Sequence, residues 1–169
     1  MPLIHLYVPE GLVSAAAKRA IGERLAVALL EVERIPDSPA ARAMSWIFWH
    51  DMPEACWMVP GTAAPTSEAR RNAFSPRGVS GGPRPPDEEG AGPPRCLIEV
   101  VAPAGLLDAG QKEAAIQRLT QEMLGGWSAG DSIETRVRTW VVVREVPEGS
   151  WGVAGCVAPS AMILSGLRG

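Results

Sequence analysis

The sequence predicts an α/β (α+β) fold: two tandem β-α-β units forming a four-stranded sheet with two helices on one face. Three observations carry that expectation. Residues 2–61 return as residues 96–155 at a constant offset of 94, with about 20 identities in about 60 positions. Each copy reads as apolar strand, amphipathic helix, apolar strand. A crossover of this length makes the two strands of one unit parallel.

In the first copy, residues 3–8 form an aliphatic run that Pro9 and Gly11 stop, which is a strand with its terminator. Ser14 is placed to cap a helix over about 15–33. Ala17, Ile21, Leu25, Ala28, Leu29 and Val32 recur on one face of that helix. A polar turn holding Asp37 leads to a second strand over 45–50, and Pro53 ends it. The second copy opens at Cys96. Asp108 caps its helix, Ala115, Ile116, Leu119 and Met123 form the apolar stripe, and Gly125-Gly126 stop it. Its second strand covers 139–144 and ends by Pro147. Residues 145–155 read as a short return carrying Trp151, with the spacing of a small hairpin.

The organisation is therefore a first unit at 1–61, a linker at 62–95, and a second unit with a C-terminal tail at 96–169. The linker is dense in Pro, Gly, Ser and Arg and has no apolar period. A lid over a site is its alternative role. A unit of about 60 residues buries too little surface to stand alone, so the halves pack together. The helix-free face of the sheet needs a cover, and oligomerisation is the simplest one.

Composition removes several function classes. Of 169 residues, 46% are hydrophobic and 21% charged, and the net charge is −3. Without a basic tract, nucleic acid is not an expected partner. No segment reads as a membrane span or a cleavable leader, so the expected location is cytoplasmic. Three cysteines and two histidines at irregular spacing give neither a disulfide framework nor a metal site. No Gly-rich phosphate loop or Gly-x-Ser-x-Gly elbow is present. The partner expected instead is a small-molecule substrate, with no cofactor.

Pro2 is the residue with chemistry to offer. Removal of Met1 would make it an N-terminal secondary amine. Burial or nearby cations lower the pKa of such an amine from its usual value of about 7.7–8. A base poised near neutrality takes a proton from carbon beside a carbonyl. The plainer reading is an N-terminal proline with no such role.

Several motifs resemble the tautomerase superfamily. They are the opening Pro2-Leu3-Ile4, the Glu10-Gly11 pair, the helix, and Trp46-Ile47-Phe48-Trp49-His50-Asp51-Met52-Pro53. The last is most similar to the second strand of cis-3-chloroacrylic acid dehalogenase. Residues 145–155 of the second copy look like the end of a 4-oxalocrotonate tautomerase subunit. The resemblance covers both repeats, about 120 residues, and leaves out the linker and the tail. It implies a cofactor-independent enzyme, assembled as a homotrimer, with Pro2 as catalytic base or acid. It also implies arginines that bind a substrate carboxylate and aromatic residues that wall the pocket.

The sequence departs from that pattern. The family's arginine after Glu-Gly falls on Leu12, and on Leu106 in the second copy. Phe48 stands where the dehalogenase branch has tyrosine. A carboxylate clamp must come from elsewhere. Arg138, Trp140, Val142 and Arg144 alternate onto one strand face, which makes Arg138 the first candidate, with Arg144 and Arg136 behind it. Each also reads as a solvated strand-end arginine. Trp46, Phe48 and His50 share a face of their strand. Trp46 reads as core or interface, with pocket wall as the alternative, and His50 as a strand-end histidine. Asp37 reads as a turn residue, or as an orienting group as in the decarboxylase branch. Cys96 takes the place of Pro2 in the second copy but lies within the chain, so it offers no amine and reads as a buried thiol. Two functions stay open: an enzyme acting on a 2-oxo or enol acid, with hydratase and decarboxylase variants, or a repurposed scaffold that binds a ligand or a partner.

Overall fold

The structure, a computed structural model, describes residues 3–53, 56, 95–126 and 131–168. Pro2, Trp57 and the expected linker apart from Arg95 lie outside the described residues.

Strand β1 (Leu3–Pro9) lies parallel to β2 (Trp46–Met52), and β3 (Cys96–Pro103) parallel to β4 (Thr139–Val146). β1 and β3 pair antiparallel in the middle, so the sheet order is β2-β1-β3-β4. Helices α1 (Ala15–Glu33) and α3 (Ala109–Gly125) follow β1 and β3. Their apolar stripes and the alternate strand residues Ile4, Leu6, Val8, Cys96, Ile98 and Val100 close one core. The two units therefore share a single interior, as their small size requires. Fully burying one of these aliphatic side chains contributes about 1.5–3 kcal/mol.

The local chemistry of each copy is repeated at the offset of 94. Ser14 accepts from the Ala17 backbone N–H at 3.2 Å, and Asp108 accepts from Gln111 at 2.8 Å in a capping box. Gly11 and Gly105 turn the chain out of β1 and β3 at φ 75° and 77°, a backbone region that costs little only for glycine. Short capped helices α2 (Pro39–Ala43) and α4 (Ile133–Arg136) occupy the expected polar turns. The Asp37 carboxylate grips the Arg42 guanidinium at 2.6 and 2.7 Å, and Asp131 grips Arg136 at 2.5 Å twice. Lys18 pairs with Asp51, and Lys112 with Glu145 at 2.7 Å.

Three expectations need correction. Ile116 is 42% exposed, while Thr120 and Leu124 are buried. The stripe of α3 is thus rotated toward Leu124, because the helix must face α1 as well as the sheet. Arg138, the first arginine candidate, lies just before β4, at the end of the sheet away from Leu3, where its carbonyl accepts from the Cys96 N–H at 2.9 Å. Trp46 is 58% exposed and so no part of the core. The short return is a hairpin, β5 (Gly152–Val153) with β6 (Cys156–Val157). A helix not expected from the sequence, α5 (Ser160–Arg168), then packs Ile163 with Ala158 against Trp151. No described helix is long and apolar enough to cross a membrane.

Candidate functional site

Because side chains alternate across a strand, one face of the sheet carries the core and the other carries four of the expected site residues, Trp46, Phe48, His50 and Arg144. Register sorts that open face into transverse rows. The first row is Trp46, Leu3, Val101 and Arg144; the second is Phe48, His5, Glu99 and Val142; the third is His50, Tyr7, Leu97 and Trp140. The antiparallel β1–β3 seam relates the rows by a pseudo-twofold axis. The offset of 94 exchanges the first row with the third, and His5 with Glu99.

The first row lies where β1 begins, one residue after Pro2 in the sequence. Pro2 itself is outside the described residues. Leu3 has Trp46 on one side and Val101 on the other. Arg144 is next, on the edge strand, with its Nε 3.0 Å from a Glu99 carboxylate oxygen. Trp46 and Arg144 occupy opposite edges, about 14 Å apart at ~4.8 Å per strand, and do not meet within one chain. Arg136 and Arg138 precede Thr139, which pairs with Cys96 at the far end of the sheet. Arg138 lies six residues before Arg144, a strand length of about 20 Å. Of the three arginines, Arg144 alone stands in the row of Leu3.

The aromatic candidates form a stack. His5 lies 4.9 Å from Phe48 and His50 4.4 Å from Tyr7, ring centre to ring centre, with planes within 15°. His5 Nδ1 and His50 Nε2 are 2.9 Å apart, so one imidazole donates to the other. Partial burial holds the His5 pKa below its usual 6.5. The neighbouring His50 adds to this, Glu99 opposes it, and Arg144 reinforces it. Trp46 and Trp140 repeat one contact: each indole N–H donates to the carbonyl three residues back, Ala43 at 3.3 Å and Val137 at 3.2 Å. Asp37 is held below the usual carboxylate range by its hydrogen bonds from Arg42.

The positions where the family pattern has arginine point into the protein: Leu12 is 1% and Leu106 8% exposed. Cys96 is 3% exposed, and burial pushes its thiol up to about 11. It is inert filling rather than a nucleophile. A hollow of about 350 Å³ between the end of α1 and the start of α3 includes Glu31, Asp108 and Gln111 in its lining and lies on the helix side. Among the described residues, no three His, Cys, Asp or Glu side chains are grouped to hold a metal ion. His5, Tyr7 and Glu99 were missed in the sequence. The period-two run Leu3, His5, Tyr7 was the available signal, but pairing His5 with Glu99 needs the register of two distant strands.

No family model matches the sequence, and no curated protein matches it by sequence. Solved structures do match along nearly the whole chain. Pt0534 inactivated by 2-oxo-3-pentynoate superposes with a TM-score of 0.64 at 18% identity, covering 95% of this chain and 99% of that one. The Q0 fused 4-OT, a symmetric trimer, gives 0.62 at 20%, covering 96% and 98%. N1, a member of the cis-3-chloroacrylic acid dehalogenase family, gives 0.62 at 16%, covering 94% and 84%. The doubled β-α-β architecture, with its central antiparallel seam, is the fold that this chain shares with these solved structures.

Proposed function

We propose that this chain is a cofactor-independent enzyme of the tautomerase or isomerase type, in which Pro2, freed of Met1, shuttles a proton on a 2-oxo or enol acid. The observation that carries the reading is the placement of Leu3. The residue after Pro2 opens an interior strand, flanked by Trp46 and Val101, with the guanidinium of Arg144 in the same row. A neutral secondary amine at such a strand start takes a proton from the carbon beside the carbonyl as the enol forms. It gives that proton to the carbonyl oxygen, which completes the enol, and is restored to its neutral state; ketonisation runs the same steps in reverse, from hydroxyl to carbon. Arg144 is the group for the substrate carboxylate, reached by sharing or displacing Glu99. With Leu12 and Leu106 buried, a single carboxylate on a larger apolar body suits the face better than a dicarboxylate.

The test is ketonisation of phenylenolpyruvate. Pro2→Ala is expected to lower kcat/KM by about 100-fold or more. Equal rates for the two proteins would end the proton-shuttle reading, and so would native mass spectrometry showing Met1 retained.

A repurposed scaffold is the second reading. It is favoured by the engagement of Arg144 with Glu99 and by the distance of Arg138 from Leu3. Under either reading we take the assembled form to be a homotrimer. The apolar open face and the trimeric fused 4-OT neighbours support that state.

A further inference from the structure

One built feature of the open face is used neither by the fold nor by the proton shuttle. His5 and His50 are the chain's two histidines, and their ring nitrogens face each other at 2.9 Å. The groups around them come from all four strands. Tyr7 on β1 stacks on His50 at 4.4 Å, and Phe48 on β2 stacks on His5 at 4.9 Å. Glu99 on β3 lies directly across from His5, and Arg144 on β4 neutralises Glu99 at 3.0 Å. Glu99 and Arg144 are the only Asp, Glu, Lys or Arg side chains on this face of the four described strands, and they pair with each other. The surface is therefore without net charge while both imidazoles are neutral. Around the pair, Trp46, Phe48, Trp140 and Val142 are 58%, 38%, 68% and 45% exposed. A continuous apolar and aromatic surface of this kind fits a protein partner. Trimers among chains of the same fold point to further copies of this chain as that partner.

We propose that the open sheet face docks against further copies of this chain, and that the facing imidazoles of His5 and His50 release that docking when they are protonated. The proposal rests on the trimer reading given above. One neutral pair needs only a single N–H···N bond, which is satisfied inside a dry interface. A first added proton leaves that bond in place, charge-assisted, but puts one uncompensated cation into an apolar interface. A second removes the acceptor and sets two cations about 3 Å apart among apolar rings, where desolvating each costs several kcal/mol. The sign follows from the interface, where burial disfavours the imidazolium, and it is the same direction as the lowered pKa of His5 in the single chain. A base whose pKa is depressed in the folded form contributes stability above its ordinary value of 6.5 and loses it as pH falls below.

Sedimentation velocity of the full chain at pH 8, 7, 6 and 5 tests this. The wild type is expected to sediment as trimer at pH 8. Its apparent dissociation constant should rise by at least about tenfold from pH 7 to pH 5. His50→Phe keeps a ring in the stack and removes the titrating partner, so its trimer should persist at pH 5. His50→Gln is the fallback if the ring exchange disturbs folding by circular dichroism. A wild-type trimer unaffected by pH, or a His50→Phe protein that dissociates along the wild-type profile, overturns the histidine switch and leaves the trimer standing. A monomer at pH 8 overturns the docking face itself. Neither outcome bears on the Pro2→Ala rate comparison.

Discussion

Glu33 closes α1 as a buried carboxylic acid, 5% exposed, and burial pushes its pKa up to about 7. A carboxyl raised in the fold contributes stability that is fully present below its unfolded pKa, near 4.5, and is lost as pH climbs through 7. The loss is on the order of 3 kcal/mol across that window. Glu33→Gln, which keeps the shape and removes the charge, is expected to flatten it. In urea melts at pH 5, 6, 7 and 8, the wild-type midpoint measured against that of the variant at the same pH is expected to fall as pH rises. At this scale the sequence was a fair guide to backbone chemistry and a poor one to side-chain environment. Ser14 and Asp108 are legible as caps because a cap is a local hydrogen bond. Glu33 was not, because its burial depends on packing by residues distant in sequence. Arg138 misled for a related reason. Alternation orders residues by face but not by distance from Leu3, and Arg138 stands at the opposite end of the sheet, beside Cys96.

Among the elements, α1 and α3 carry the largest share of the interior. Leu25 and Leu119 are equivalent under the repeat, and both are 0% exposed. Truncating either to alanine is expected to lower the unfolding free energy by roughly 3 kcal/mol, read from urea melts at constant pH. A much smaller effect in one of the two would mean that the copies do not share the core equally. The strands and long helices were legible because their periods are long enough to count. The short helices α2 and α4 were read as turns, since four or five residues hold too little pattern. The final helix α5 follows the repeat and has no counterpart against which to read it.

Among the described residues, the sheet is covered on one side. That asymmetry was legible in the sequence, since two amphipathic helices cannot cover both faces. The rows of the open face were not, because they depend on the antiparallel pairing of strands more than 90 residues apart. Val142, 45% exposed beside Glu99, sits in the middle row. Val142→Lys places a cation next to that carboxylate, which the chain tolerates, and in the centre of the face, which a docked copy does not. The expected result is a monomer by sedimentation velocity with an unchanged circular dichroism spectrum. A trimer of wild-type strength would place the assembly surface elsewhere.

The pseudo-twofold seam has a consequence for how the protein can vary. In a dimer of separate identical units, a substitution at one end of such a sheet appears at the other end as well. Joining the units in one polypeptide removes that constraint. Equivalent positions now hold Arg144 at one end and His50 at the other, and Val101 answers Tyr7. One end is free to keep a fixed positive charge beside an aliphatic residue, while its mirror image carries a titratable aromatic pair. Covalent fusion has thus converted a symmetric scaffold into one with two independently adjustable ends.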